Sequence, residues 1–559
     1  IGAGDAAPLV AGAGAHARAR NRRVEVTVSY REPASLVATP DPAFPADFEP
    51  WWQGGVMSPM LPGAAARAED IESLYLRALQ HSSQIEVFRD VPLIRETAIL
   101  EAEGSFDPNL FMEAEFRDTD EPVGSTLRTG GPARFKEQQL AYTAGVRKRV
   151  ASGGEVELSQ RVARQQNNSV FFVPDDQALS RMQLSFTQPL LRGAGVGYNR
   201  STVAIAKIDH SIAADELQRQ VESHLLEIAQ SYWSLYQERA RYLIDQRLAH
   251  RSGDLLATLQ GRRGIDVIEA QLATARAALA QREADLVNAA KAIRNAEARL
   301  VTLVNDPELN FAVDFELVPR LPPLPPRVTL DVAEASRQAL ANRPEIDQSM
   351  KQLRAGMLRE QVSENEMLPE LDLIAGLELN GLEGDDGFGR SFGNQFDEGD
   401  PGYFVGLRLN YAIGNRAAKA RYQRRRLEVR QLGNQLRTTI NTLLLETQVS
   451  VREAHATRQE LLARYRAMEA AAKDVESLEA RREVALTQGE QGSDYLARLL
   501  NAQEDLAAAE KAFVASRVTY SLAMVNLDRA MGILLQTNGI AAERVQPDNL
   551  PPEIELGRR

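Results

Sequence analysis

The six histidines stand at His16, His81, His210, His224, His250 and His455. A metallohydrolase helix needs two imidazoles one turn apart with a carboxylate between them, and no pair here has that spacing. The chain has no cysteine, which excludes thiolate zinc sites, cysteine nucleophiles and disulfides. The glycines of RGAGVGYNR (192–200) have the wrong third spacing for a dinucleotide loop, and no βαβ unit follows them. No P-loop sequence occurs either. EGDDGFGRSFGNQFDEGD (383–400) is rich in carboxylates but lacks the regular ligand spacing of a calcium loop, and it reads as a solvated loop. The sequence therefore predicts no catalytic residue, no cofactor and no metal site.

What the sequence offers instead is backbone geometry. SFTQPLLRGAG (185–195) begins as a strand, halts at Pro189, and passes through Gly193 and Gly195 into a tract without proline until Pro307. That tract is too long for an ordinary globule. Ala, Leu, Arg, Glu and Gln dominate the composition and aromatics are 6%, the profile of long helices. The net charge of −12 argues against a nucleic-acid partner, since phosphate binding needs a basic surface. No run of about 18 apolar residues exists, so any membrane crossing would be made by a closed barrel.

The chain opens with two segments of different character. PLVAGAGAHA (8–17) reads either as the tail of a secretory signal, with Ala15 and Ala17 at the small-residue positions, or as an Ala/Gly-rich terminus. VEVTVSY (24–30) alternates like a short strand, and residues 31–66 form a Pro-rich extended linker in which Trp51 and Trp52 could dock.

From about residue 68 the chain follows one plan twice. Matching Ala78 to Ala339 gives an offset of 261 residues, and the same offset carries Pro108 onto Pro369 and Leu110 onto Leu371. Each copy runs helix, proline, strand: NLFMEAEF (109–116) and ELDLIAGLEL (370–379). Returning strands follow, MQLSFTQPLL (182–191) and YFVGLRLNYAI (403–413). Matching Leu184 to Leu407 lowers the offset to 223, so the first copy holds 38 extra residues between its strands. Two alternating runs around Gly153–Gly154, residues 139–165, account for them as an added β-hairpin. The domains expected are an extension and linker (1–67), a first repeat (68–308), a Pro-rich connector (309–329), a second repeat (330–536) and a tail (537–559).

After each returning strand comes a proline-free tract, 190–306 and 402–546. Glycine clusters, Gly261 with Gly264 and Gly489 with Gly492, divide each tract into two helices joined by a turn. A helix over residues 199–260 would span roughly 90 Å at ~1.5 Å per residue. Leu272, Leu279, Leu286, Ile293 and Leu300 repeat every seven residues, as do Leu499, Leu506, Phe513, Tyr520, Leu527 and Leu534. Sustained heptads mean supercoiled helices, and alanines between them let the helices approach closely.

LDVAEASRQALANRPEID (330–347), LSFTQPLLRGAG (184–195), AQSYWSLYQ (229–237), GIDVIEAQLATARAAL (264–279) and VGLRLNYAIGNRAAKARYQ (405–423) together resemble the TolC-type outer membrane efflux proteins, the outer membrane factors. The likeness covers about residues 68–536, and its specificity lies in the ordered set within a duplicated frame rather than in one motif. The resemblance implies a mainly α fold with a β-barrel part. Three copies would build a coiled-coil tunnel joined to a shared 12-stranded outer-membrane barrel, each giving four strands. It implies a passive exit duct for efflux or type I secretion in the outer membrane of a Gram-negative bacterium. The duct would extend into the periplasm and work with a periplasmic adaptor and an inner-membrane transporter of RND or ABC type. A periplasmic adaptor and a structural coiled-coil scaffold are the alternatives. An adaptor does not duplicate its hairpin, and a scaffold has no use for amphipathic strands at helix junctions.

In that family the helical turns close the periplasmic end and meet the adaptor. Here they would be 258–268 and 487–497, with Gly261, Gly264, Gly489 and Gly492 in the turns and Asp266 and Asp494 as N-caps of the downstream helices. The resemblance puts Asp266 in a constricting carboxylate ring, whereas Arg498 and Asn501 stand where the second copy's acids would be. That departure suggests a differently charged constriction, with Arg498 paired to Asp494 or to an acid of a neighbouring protomer, or simply forming a helix-surface ion pair. Pro189, Gly193, Gly195 and Gly414 mark the barrel-to-tunnel joints. Tyr403, Phe404 and Tyr411, with Phe171 and Phe172, sit at strand ends, where membrane-interface aromatics gather.

Overall fold

The computed structural model describes residues 50–60, 65–263, 267–309, 315–320, 331–384, 387–482 and 490–540. The signal-like stretch 8–17, the strand-like run 24–30 and three of the turn residues, Gly264, Asp266 and Gly489, lie outside the described residues. In chain order the elements are α1 (Gln53–Val56), β1 (Ala65–Glu69), α2 (Ile71–His81), α3 (Ser83–Glu103), β2 (Asn109–Pro122), β3 (Arg134–Arg149), β4 (Glu155–Asn167) and β5 (Asp176–Pro189). There follow α4 (Val196–Asn199), α5 (Ser201–Gly261), α6 (Glu269–Val304), β6 (Phe315–Pro319), α7 (Val332–Asn342), α8 (Pro344–Asn365) and β7 (Glu370–Gly384). The series closes with α9 (Phe388–Asp397), β8 (Gly402–Asn410), α10 (Arg416–Glu479), α11 (Glu490–Ala530) and α12 (Leu534–Thr537). Contacts group the described residues into two units, those within 50–92, 214–348 and 437–540 in the first and those within 93–213 and 349–436 in the second.

The first unit is helical. Its core is a set of heptad faces: Leu225, Ile228, Tyr232, Leu235 and Tyr236 of α5 meet Ile293, Leu300 and Val304 of α6 and Phe513, Val518 and Tyr520 of α11. All six heptad residues of the second copy, Leu499 through Leu534, are buried. In α6 the stripe holds at Leu272, Ile293 and Leu300, but between them the helix buries Ala275, Arg282 and Ala289 in place of Leu279 and Leu286. The two leucines are only half-covered, because the middle of α6 is rolled to bring Arg282 inward.

Two connections that composition marks as linker are built into this unit. β1 and β6 pair in parallel, from Ala65↔Phe315 to Glu69↔Pro319, so the expected connector 309–329 contains a strand. Trp52 is fully buried and meets Phe513 edge-on, while Trp51 donates Nε1–H to Glu510 at 2.9 Å beneath the Arg247 guanidinium, 4.4 Å from the ring centre. The tryptophan pair thus docks the end of the Pro-rich stretch on helices. Beneath it, the buried Arg239 side chain pairs with buried Glu316 and donates to the Val56 carbonyl at 2.9 Å and the Ser58 carbonyl at 2.6 Å. Glu316 in turn accepts the Met60 amide at 3.0 Å and 2.9 Å on its two oxygens.

The second unit contains one antiparallel sheet in the order β2-β3-β4-β5-β7-β8. The strands expected from alternation in this sheet are present; β2 runs on to Pro122 and β7 to Gly384, while β8 stops at Asn410, short of the expected Ile413. The added hairpin is β3–β4, standing between β2 and β5 as full members. The sheet of one chain therefore has six strands, the four expected for a barrel wall and the two of the added hairpin. The acidic stretch 383–400 is not an open loop either: ten of its residues form α9, packed on the sheet.

Candidate functional site

Pleating sends successive side chains to opposite faces, and residues paired across an antiparallel sheet share a face. The register therefore sorts the whole sheet. One face holds Leu110, Met112 and Phe116 of β2, Leu140, Tyr142 and Val146 of β3, Val156, Leu158 and Val162 of β4, Met182, Leu184 and Phe186 of β5, Leu371, Leu377 and Leu379 of β7, and Tyr403, Val405, Leu407 and Leu409 of β8. The other holds Glu113, Glu115, Arg117, Thr143, Arg147, Glu157, Arg161, Arg181, Gln183, Glu378, Asn380 and Arg408. The apolar face lies open: Leu110 is 80% exposed and Leu407 68%. Gln160 and Ser180 interrupt it, and both bond to Gln395 of α9, which lies over them. Each exposed apolar side chain gains about 1.5–3 kcal/mol on leaving water, so a face of this extent requires an apolar solvent or a partner.

On the polar face two glycines let an aromatic ring lie flat against the neighbouring strand. A Cβ at Gly145 would come within 2.7 Å of the Phe111 ring, and one at Gly376 within 2.5 Å of the Phe404 ring. These are directly paired positions, Phe111↔Gly145 and Gly376↔Phe404. Phe404 therefore packs on the polar side, and its expected place among the interface aromatics is corrected. Tyr403 and Tyr411 are exposed at opposite ends of β8, with Tyr403 on the apolar face. They stand eight positions apart, roughly 27 Å of extended chain, close to the height of an outer-membrane apolar band. Phe171, in the β4–β5 connection, is also exposed.

At the base of the sheet the strands become helices through the predicted residues. Pro189 ends β5, where the strand's own ladder stops needing its missing N–H. Pairing then continues by Leu190 N–H to the Leu371 carbonyl at 2.7 Å and Arg192 N–H to the Pro369 carbonyl at 3.1 Å. Gly193 (φ +81°), Gly195 (φ +96°) and Gly414 (φ +87°) all have positive φ. Gly195, with ψ 151°, occupies a region that only glycine enters readily. Asn199 locks the bend: its Nδ2 donates to the Gly193 carbonyl at 2.8 Å and the Gly195 carbonyl at 2.9 Å, and its Oδ1 accepts from Arg149 at 2.7 Å. The end of α8 serves both joints. Asn365 Oδ1 accepts the Gly193 amide at 2.7 Å, and the Met367 carbonyl accepts from Asn415 Nδ2 at 3.1 Å. A cavity of about 400 Å³ opens here among Arg149, Glu155, Arg192, Glu370 and Asp372.

The far ends of the long helices meet in a separate apolar cluster: Leu255, Leu256 and Leu259 of α5, Leu272 and Ala275 of α6, and Leu496, Leu499 and Leu500 of α11. Gly261 is the last residue of α5. Further along α6, buried Arg282 ties the three helices together through Ser252 Oγ, the Leu500 carbonyl at 3.0 Å and Gln503 Oε1 at 3.4 Å. Burial pulls its guanidinium below the usual value, opposed by Glu504. Arg262 and Arg263 follow α5, and Arg481 and Arg482 follow α10, so both helix ends present cations.

No family model and no curated protein matches the sequence. Solved structures do. The outer membrane channel CmeC of Campylobacter jejuni aligns at 13% identity over 85% of this chain and 87% of its own, with TM-score 0.58. The outer membrane protein VceC of Vibrio cholerae aligns at 16% identity over 83% and 96%, with TM-score 0.58. The MtrE outer membrane channel of Neisseria gonorrhoeae, in its open state, aligns at 15% identity over 84% and 91%, with TM-score 0.58. The chain has the outer-membrane channel fold.

Within this channel fold, several sequence-derived tip assignments change. α11 begins at Glu490, so Gly492 and Asp494 lie inside its first turns, and Asp494 is not an N-cap. Residues 490–497 of the expected turn 487–497 are helical, and residues 487–489 lie outside the described residues. Between α5 and α6 the residue before α6 is Ile268, whose amide donates to Gln271 Oε1 at 3.2 Å; Asp266 precedes it by two positions. Arg498 and Asn501 are both exposed on α11, and among the described residues no ion pair joins Arg498 to Asp494. Among the described residues no cluster of three or more acidic or histidine side chains is placed to hold a metal, and no helix is apolar enough to cross a membrane. Sequence reasoning missed Asn199, Arg239 with Glu316, and Arg282. Only Asn415 had a local signal, since a Gly-Asn dipeptide favours left-handed backbone and Asn415 takes φ +41°.

Proposed function

We propose that this chain is a member of the TolC-type outer membrane factors. Three copies would form a passive exit duct in the outer membrane of a Gram-negative bacterium. In this reading the sheet supplies the membrane-spanning wall, its apolar face toward lipid and its charged face toward the lumen. The helices of the two repeats, 68–308 and 330–536, supply a periplasmic tunnel. The residues that join α5 to α6 and α10 to α11 form the tip that a periplasmic adaptor contacts. An inner-membrane transporter of RND or ABC type drives the export of small toxic molecules or proteins, and the chain itself catalyses nothing.

One observation carries the reading. A sheet with an exposed apolar face and a charged opposite face runs through glycine joints into helices of 61 and 64 residues. A soluble protein would aggregate through such a face, and a membrane-embedded sheet requires it. Fractionation of cells expressing the chain tests this. The duct should be found in outer membranes as a heat-sensitive trimer that conducts ions in planar bilayers. A soluble periplasmic monomer without conductance would refute it.

A further inference from the structure

We propose that three copies of this chain close an eighteen-stranded barrel, in which the β2 edge of each copy pairs with the β8 edge of the next. With strands ~4.8 Å apart and tilted ~40°, the outer aperture then has a backbone radius of ~18 Å, not the ~12 Å of a twelve-stranded wall. The inference rests on the trimeric duct proposed above and adds the width of its exit.

The hairpin β3–β4 cannot be an appendage. β2 pairs with β3 along the whole of β2, from Asn109↔Arg147 to Pro122↔Arg134, and β4 pairs with β5 from Glu155↔Thr187 to Gln166↔Asp176. Its side chains continue both faces of the wall, Tyr142, Val146 and Leu158 on the apolar side and Thr143, Arg147 and Arg161 on the polar side. Its turn is fastened to the joint. Gly195 N–H donates to the Ser152 carbonyl at 3.0 Å, as does Gln188 Nε2 at 3.2 Å, and a Cβ at Gly153 would meet Asn199 Nδ2 at 2.5 Å. Swinging the hairpin out of the wall would break two ladders and this anchor together.

The two edges of the sheet are built to meet. β2 leads away from the helices and β8 returns to them, so a neighbouring β2 lies antiparallel to β8, like every other pair in the sheet. Both carry apolar stripes: Leu110, Met112 and Phe116 on one, Tyr403, Val405, Leu407 and Leu409 on the other. An edge left open would expose a row of unpaired N–H and C=O groups, which lipid does not satisfy. Head-to-tail pairing around a ring removes every edge. Because circumference scales with strand number, the wider barrel has about a 2.2-fold larger cross-section. Barrels of 16–18 strands leave an aqueous channel, so the exit would pass solutes bulkier than a twelve-stranded one admits.

Electron-microscopy top views of the full chain, extracted in detergent with its mass measured in parallel, decide the matter. Three copies around a ring of ~18 Å backbone radius, the value for eighteen strands, support the inference. Three copies around the ~12 Å of twelve strands, with the hairpin outside the wall, overturn it and leave the duct standing. A particle without a three-copy ring overturns both. Deleting residues 134–167 leaves β2 and β5 antiparallel and able to pair. That variant should keep three copies and shrink to the twelve-stranded radius of ~12 Å, and an unchanged radius would also overturn the inference.

Discussion

Arg239→Met should release the residue 50–60 segment from the helices. The buried guanidinium contacts Glu316, the Val56 carbonyl, the Ser58 carbonyl and the Leu317 carbonyl. Removing it leaves the Glu316 carboxylate without its counter-charge and three carbonyls without this donor in a dry site. Breaking one side of a buried pair costs about 3–5 kcal/mol, because the remaining charge keeps its desolvation penalty. At about 1.4 kcal/mol per factor of ten, even the lower bound raises the population of undocked segment on the order of 100-fold. Amide exchange at Met60 and Leu317 reads this directly, since Met60 N–H donates to Glu316 and Leu317 N–H to Glu297. Both amides should lose protection in the single variant. In the double variant Arg239→Met, Glu316→Leu, which also removes the Met60 acceptor, the Leu317 amide should lose far less, because no charge is left unpaired. If the double variant is as exposed as the sum of the singles, the pair is not the clasp and the reasoning fails.

Three other perturbations have definite signs. Burial raises the Asp528 carboxyl from 3.8 to about 6, against a Thr537 hydrogen bond that lowers it. A raised acid pKa means the fold holds the proton more tightly, so the penalty is absent below pH 3.8, grows to pH 6 and is constant above. Asp528→Asn should therefore stabilise by about 2–3 kcal/mol at pH 7.5 and ~1 kcal/mol at pH 4.5; a pH-independent melting shift contradicts it. Gly195→Ala forces a side chain into φ +96°, ψ 151°, at about 1–3 kcal/mol, and should lower the dissociation temperature of the trimer in detergent; an unchanged temperature would show that the joint relaxes. Arg498 and Asn501 replace the acids that the family resemblance predicts, so reversal potentials should show weak or anionic preference, and Arg498→Glu should move them toward cations. Strong cation selectivity in the native channel would refute that.

The sequence revealed whatever repeats with a fixed period. Heptads located Leu499 to Leu534, all buried, and alternation found every strand of the large sheet. It did not reveal β6, because so short a strand carries little pattern of its own and forms only against β1, at the opposite end of the first repeat. α9 was hidden by its acidic, Gly-rich composition. Yet Phe388, Phe392 and Phe396 recur at helical spacing, and the helix is held because Gln395 bonds Ser180 Oγ at 3.1 Å and Gln160 at 3.3 Å over Gly381, where there is no Cβ. Arg282 breaks the apolar rule at a buried position between heptad residues, and only the meeting of three helices supplies its acceptors. Asp494 shows the opposite error: a good N-cap residue near a glycine pair is absorbed when the helix starts one turn earlier.

The insertion that distinguishes the two repeats obeys a parity rule. β5 must run back toward the helices, since Pro189, Gly193 and Gly195 deliver the chain into α5. One added strand would reverse β5 and leave its helix at the wrong end of the sheet. Two added strands restore the direction, and a one-residue register error would still turn every apolar side chain to the charged face. The hairpin meets both conditions: it has two strands, and the alternation of Leu140, Tyr142, Ala144 and Val146 matches that of Leu110, Met112, Ala114 and Phe116 opposite. Its short turn at Ser152–Gly153 lies at the joint, while the longer connections 123–133 and 168–175 lie at the other end. The helices therefore keep their own pairing whatever the number of strands in the sheet. Wall width can change by hairpins without any compensating change in the heptads, so the two repeats can keep matched helices while their strand numbers differ.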